Sequence, residues 1–207
     1  MFMKIAMTPR FHEGGMDQLM SIEKKYYPFF EKFGHNIHLI PYLGMTPEQY
    51  LEDQKPDAVV FAGGYRLYTP EIRMFESNFM NTCLKRKIPI LGICCGLYTV
   101  NAFFGGNLKW TENHQAFDGK KIDVTRMIHH VDGVDLVKKK TYKVNSFHPK
   151  SVDKLGEGLK NFLISDDWQI EGIFNLEKKI IAIQFHMENT GVTQELTDQI
   201  MEKFVNL

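Results

Sequence analysis

Residues Pro89-Ile-Leu-Gly-Ile-Cys-Cys-Gly96 decide how this chain is read. An apolar run over Ile88–Cys94 enters Gly92-Ile93-Cys94-Cys95-Gly96 and leaves in a helical pattern over Gly96–Phe104. That order has the form of a nucleophile elbow, G-x-Nu-x-G, in which a reactive residue sits on a sharp strand-to-helix turn. The central residue is held in strained backbone, and its neighbours two before and two after must be small because their Cβ atoms would collide. Gly92 and Gly96 meet that demand around Cys94, whereas Ile93 and Leu97 fail it around Cys95. Cys94 is therefore the candidate nucleophile. The helix N-terminus beyond it is expected to lower the thiol pKa. Alone, these residues also fit an inert buried cysteine in a tight turn.

Around the elbow the chain alternates strand and helix. Strands are expected over Lys4–Thr8, Ile37–Tyr42, Asp57–Ala62 and Ile88–Cys94. Helices are expected over Met16–Phe33, Pro47–Asp53, Pro70–Lys85 and Thr193–Val205, from apolar spacing and from proline and glycine at their ends. Alternation of this kind favours an α/β three-layer sandwich with a mostly parallel central sheet. Short strand-like pieces at Lys121–Val124, Val134–Val137 and Tyr142–Asn145 suggest a small antiparallel region. Ile173–Leu176 and Lys179–Phe185 form a hairpin pattern that turns at Glu177-Lys178.

Composition narrows the function. The 207 residues fit one domain over 1–207. The 25 Lys+Arg balance 25 Asp+Glu, which gives no electrostatic reason to expect nucleic acid or an anionic membrane as partner. A hydrophobic fraction of 43% is too high for disorder. No apolar run approaches the ~18 residues of a membrane span, and no leader pattern opens the sequence, so a cytoplasmic protein is expected. The 3 cysteines form no C-x-x-C pair, which excludes a zinc ribbon and leaves buried or reactive thiols. Cys83, on an amphipathic helix pattern, reads as core. His129-His130 has no supporting ligand at a useful spacing, and Lys138-Lys139-Lys140 reads as a solvated turn.

A thiol nucleophile needs a base, and the base an orienting group. Ile181-Ala-Ile-Gln-Phe-His-Met-Glu188 supplies both, with His186 at the end of an apolar strand and Glu188 two residues on. Residues two apart on extended chain point the same way.

Gly92-Ile-Cys-Cys-Gly96 followed by Gln184-Phe-His-Met-Glu188 resembles the class I glutamine amidotransferase-like superfamily, whose fold is flavodoxin-like. Phe61-Ala-Gly-Gly64 resembles its oxyanion loop. Val144-Asn-Ser-Phe-His148 and Met7-Thr-Pro-Arg10 resemble segments of its γ-glutamyl hydrolase branch, peptidase family C26, which includes γ-glutamyl-γ-aminobutyrate hydrolases. The resemblance implies Cys94 as nucleophile, His186 as general base and acid, and Glu188 as orienting carboxylate. It implies an oxyanion hole at the backbone N–H groups of Cys95 and of Gly64 or a neighbour. Gly63, Tyr98, Asn145, Ser146 and His148 would lie near a small γ-glutamyl substrate, with no metal or cofactor required. Arg10 and Arg66, at the carboxyl ends of expected strands where α/β ligands bind, are candidates for a substrate carboxylate or phosphate.

Four departures from the branch pattern alter the pocket rim: Tyr98 replaces Gln, Met187 replaces Pro, Cys95 replaces Arg, and Pro149-Lys150 follows His148. They point to a specialised substrate and weaken free glutamine as that substrate. The leaving group stays open between γ-aminobutyrate, a folyl polyglutamate chain and a nucleotide phosphoramidate of capsule biosynthesis. A glutaminase subunit passing ammonia to a synthase, a non-catalytic relative and a homodimeric state are the remaining alternatives.

Overall fold

The structure is a computed structural model that describes residues 2–14, 17–41, 45–64, 70–111, 114 and 128–207. In chain order the elements are β1 (Lys4–Met7), β2 (Arg10–Gly14), β3 (Asp17–Ser21), α1 (Tyr26–Lys32), β4 (Asn36–Leu39), α2 (Pro47–Gln54) and β5 (Ala58–Phe61). Next come α3 (Pro70–Arg86), β6 (Ile90–Ile93), α4 (Cys95–Phe103), β7 (Asn107–Trp110), β8 (Ile128–Gly133) and β9 (Thr141–Asn145). The chain continues with β10 (Lys150–Lys154), β11 (Lys160–Ser165), β12 (Ile170–Asn175), β13 (Ile180–Ile183) and α5 (Gln194–Val205).

Nine strands form one sheet in the order β4-β1-β5-β6-β13-β12-β11-β8-β9. From β4 to β13 every pairing is parallel. From β13 to β9 every pairing is antiparallel. The sheet is thus mixed, and the antiparallel region continues the central sheet. The β12–β13 hairpin turns through Leu176–Lys179, as the sequence pattern predicts.

The central strands read as unbroken apolar runs because both of their faces are covered. β5, β6 and β13 are buried at every residue. Their side chains alternate between two cores, as the strand period of two requires. Val60, Leu91, Ile93, Ile181 and Ile183 pack with Phe30 of α1 and Phe204 of α5. Val59, Phe61, Ile90 and Ala182 pack with Leu51 of α2, Phe79 of α3 and Leu97 of α4. The result is the expected three-layer arrangement. Cys83 belongs to the second core, where burial pushes its thiol up.

Local signals fix several boundaries. Thr46 accepts from Gln49 N at 3.2 Å while Gln49 Oε1 accepts from Thr46 N at 3.0 Å, a capping box that opens α2 at Pro47. Gly105, at φ 78°, follows the end of α4, a backbone region that glycine enters without penalty.

Two expectations need correction, and one strand pair is new. Met16–Phe33 is not one helix: β2 pairs antiparallel with β3, and only α1 is helical. Pro28 explains where α1 begins. Inside a longer helix Pro28 would remove a backbone donor, but in the first turn that N–H has no intrahelical partner to lose. Val134–Val137 is a turn between β8 and β9, and Leu136 and Val137 are apolar because the turn packs onto the core. The antiparallel pair of β7 and β10 was not anticipated. Lys121–Val124 and Arg66 lie outside the described residues. Among the described residues no helix is long and apolar enough to cross a membrane.

Phe204→Ala, which empties a fully buried site on α5, should lower unfolding free energy by ~3–5 kcal/mol in urea denaturation. Thr46→Ala, which removes a cap at the surface, should cost only about 1 kcal/mol in the same assay.

Candidate active site

The candidate residues converge because four parallel strands end side by side. Arg10 follows β1, Gly63 and Gly64 follow β5, Cys94 follows β6, and His186 follows β13. Ligands of α/β sheets bind outside such carboxyl ends. A cavity of about 1120 Å³ opens there and is bordered by Arg10, Gly64, Cys94, Cys95, Tyr98 and His186 among others.

Cys94 has φ 52° and ψ −104°, a conformation that L residues rarely adopt. Its N–H donates to Ile183 O at 2.8 Å and its carbonyl accepts from Leu97 N at 3.0 Å. The turn is thereby tied to β13 on one side and to α4 on the other. A Cβ on Gly92 would lie 2.8 Å from the Gly96 carbonyl carbon, and one on Gly96 would lie 2.0 Å from Phe61 O. Both glycines are steric requirements of the elbow. The Cys94 thiol is pushed well above its ordinary value, first by its hydrogen bond with the Cys95 side chain and then by burial. The lowering expected from the helix N-terminus is outweighed, so the thiol rests protonated and needs a base to become a nucleophile.

His186 Nδ1 lies 2.6 Å from Glu188 Oε1, and the Glu188 side chain is wholly buried. That contact directs Nδ1 to the carboxylate and leaves Nε2 for other work. A Cβ built on Gly63 would lie 2.6 Å from His186 Cε1 and 3.1 Å from Cys94 Cβ, so the imidazole, the thiol residue and the Gly63 backbone meet at one point. The Phe147 ring packs edge-on to the imidazole, with centroids 5.9 Å apart.

Several residues expected at the substrate instead hold the framework. Asn145 Oδ1 accepts from His186 N at 2.9 Å, while its Nδ2 donates to His186 O at 2.8 Å and Thr190 O at 3.0 Å. Ser146 Oγ donates to His114 O at 2.6 Å. Neither side chain borders the cavity, because both satisfy buried backbone groups. His148 does border it. The Arg10 guanidinium donates from Nε to Gly63 O and pairs with Glu23, which fastens the 63–64 turn. Gly63 N donates to Tyr26 Oη at 3.1 Å. Tyr98 Oη donates to Lys150 O at 2.5 Å and accepts from Gln184 Nε2 at 3.1 Å, and Gln184 Nε2 also reaches Cys94 Sγ at 3.8 Å. Burial pushes the Tyr98 hydroxyl up, so it stays neutral. Tyr26 and Gln184 were not singled out from sequence, although Gln184 stands inside the quoted Gln184–Glu188 motif.

The parts match acyl transfer: a thiol on a strained elbow, a carboxylate-held imidazole beside it, and a cavity in front of both. The family model for glutamine amidotransferase class I matches residues 16–206. This chain belongs to that family. Among relatives of this amidotransferase-family protein, the glutamine amidotransferase-like protein YvdE of Lactococcus lactis is 28% identical over 205 residues, covering 86% of this chain and 84% of its own. The γ-glutamyl-CDP-amidate hydrolase of Campylobacter jejuni is 29% identical over 157 residues, covering 72% of this chain and 70% of its own. The crystal structure of a glutamine amidotransferase from Thermotoga maritima superposes with TM-score 0.63 at 18% identity, covering 98% of this chain and 82% of the other. That likeness establishes the shared α/β fold.

Two outcomes are expected. Gly96→Ala should lose about 3 kcal/mol or more of stability in chemical denaturation, since the added methyl meets a backbone carbonyl that cannot move aside. Cys95→Ala removes the first cause of the raised Cys94 thiol. The pH profile of Cys94 alkylation by iodoacetamide, read by peptide mass spectrometry, should then shift to lower pH than in the wild type.

Proposed function

We propose that this protein is a cysteine-dependent hydrolase that cleaves a γ-glutamyl amide bond and releases L-glutamate. The observation that carries this reading is the Glu188-held imidazole of His186 set against the Cys94 elbow at the mouth of the cavity. His186 takes the Cys94 proton as Sγ bonds to the γ-carbonyl carbon. The oxyanion that forms is met by the backbone N–H groups of Cys95 and Gly64. Gly63 is the poorer second donor, because its N–H already donates to Tyr26 Oη. One such donor is typically worth ~3–4 kcal/mol of transition-state stabilisation. The imidazolium then protonates the leaving nitrogen, the C–N bond breaks, and a γ-glutamyl thioester remains. Water gives a proton to His186, adds to the thioester, and frees glutamate and the thiol. Gln184 and Tyr98, linked to each other beside the sulfur, shape the floor of the site.

The leaving group on this reading is an anionic nucleotide phosphoramidate. At about 1120 Å³ the cavity exceeds the usual ~300–1,000 Å³ of small-ligand sites, and a γ-glutamyl dipeptide would leave much of it empty. Lys25, Arg73 and Lys150 border it, together with Trp110, whose ring lies 4.7 Å from Lys150 Nζ. Cations suit phosphate, and an exposed indole suits a base. The Campylobacter jejuni relative, named for a γ-glutamyl-CDP-amidate, supports the same substrate class.

Glutamate release from γ-glutamyl-CDP-amidate, γ-glutamyl-γ-aminobutyrate and free glutamine should fall in that order of kcat/KM. Cys94→Ala should remove activity by a factor of ~10³ or more, whereas Cys95→Ala should keep it within about tenfold. Activity surviving in Cys94→Ala would overturn the nucleophile. Free glutamine as the best substrate, with turnover raised by a copurifying synthase, would replace the hydrolase by an ammonia-delivering subunit.

A further inference from the structure

One buried cluster has no part in the proposed reaction. His114 lies alone in its described stretch, His148 follows β9, and Glu171 lies in β12. Each side chain is at most 1% exposed. His114 Nε2 is 2.9 Å from Asp167 Oδ2, so this nitrogen carries the ring proton. His148 Nδ1 is 2.9 Å from Lys150 O, an acceptor only, so this nitrogen carries the ring proton as well. The remaining nitrogens, His114 Nδ1 and His148 Nε2, are then lone pairs, and each lies 3.5 Å from Glu171 Oε1. Neither Glu171 oxygen has a hydrogen-bond partner among the described residues. The Ser146 hydroxyl stands between the two rings, but its proton goes to His114 O. Four electron-rich atoms therefore converge on one buried point, and among the described residues no donor is directed at it. A buried carboxylate in such a place demands a positive charge.

We propose that His114 Nδ1, His148 Nε2, Glu171 Oε1 and Ser146 Oγ hold a divalent transition-metal ion of the zinc type. Tetrahedral bonds of ~2.0–2.1 Å place ligand atoms about 3.3 Å apart. Four of the six edges are at hand: 3.5 Å from Glu171 to each histidine, 3.3 Å from Ser146 to His114 and 3.2 Å from Ser146 to His148. The ligand atoms of His114, His148 and Glu171 all lie within 4.8 Å of one another. Metal-bound histidines commonly give their outer N–H to a carboxylate or a backbone carbonyl, and Asp167 and Lys150 O occupy those places. The His129 ring stacks on His114 at 4.1 Å and fixes its plane. Two imidazoles disfavour magnesium and calcium, which take oxygen ligands. The sequence expectation of no metal weighed the missing C-x-x-C pair and His129-His130, not this set, whose members lie far apart in the chain. The ion pins Ser146 and His148, between which Phe147 packs on His186, and Asn145 immediately before them clamps the His186 backbone. The site is thus a positioning site within the cavity wall, which His148 borders.

The test uses the full chain as Cys94→Ser/Cys95→Ser, so that neither elbow thiol can bind metal. After EDTA dialysis and reloading with Zn²⁺, elemental analysis should give one zinc per chain. Thermal denaturation should show a higher Tm with zinc than without, reversed by chelator. The Co²⁺-loaded protein should show visible bands of a four-coordinate site without thiolate charge transfer. Glu171→Gln should weaken zinc binding at least ~100-fold, and the milder Asp167→Asn ~10–100-fold. Failure of the parent to retain zinc or to change Tm would overturn the proposal. So would Glu171→Gln binding zinc as tightly as the parent. None of these readouts uses a γ-glutamyl substrate.

Discussion

The turn at Cys94 is the constraint on which the rest of the molecule is built. A residue with a side chain stays at φ 52° only if its surroundings hold it there. β6 supplies the approach, β13 accepts the Cys94 N–H, and α4 starts from the Cys94 carbonyl. Gly92 and Gly96 let neighbouring backbones come close enough for all three to act together. The order of the central strands follows from the same need. β13 must lie beside β6 both to hold the turn and to deliver His186 to the thiol.

The elbow was legible in sequence because its demand is local and steric. Two glycines at fixed offsets around one cysteine leave few alternatives. The buried strands were legible too, since AVVF, ILGI and IIAI have nowhere to go but between two layers. The segment before α1 misled because apolar spacing at Met16, Leu19 and Met20 resembles a helix, although Pro28 marked where a helix could begin. Asn145 and Ser146 lie in a motif that looks as if it touches substrate. Their actual acceptors and donors are backbone groups of His186, Thr190 and His114, partners that no spacing rule reveals.

Electrostatics around the thiol divides two tasks between adjacent cysteines. Cys95 donates its S–H to Gly64 O and contributes to keeping Cys94 protonated. A resting thiol is less open to oxidation than a thiolate. On the proposed mechanism, the strained turn presents a thiol that becomes a nucleophile only when its proton passes to His186.

The Asn145 clamp ties two halves of the sheet that are unalike. The thiol and the imidazole belong to the parallel half, but the amide that seats the imidazole comes from β9, at the far antiparallel edge. A chain caught halfway through folding, with only its parallel strands assembled, would own a thiol and a histidine but no seat for the histidine. The seat of the imidazole is therefore a property of the whole sheet: it exists only once the far antiparallel edge is in place.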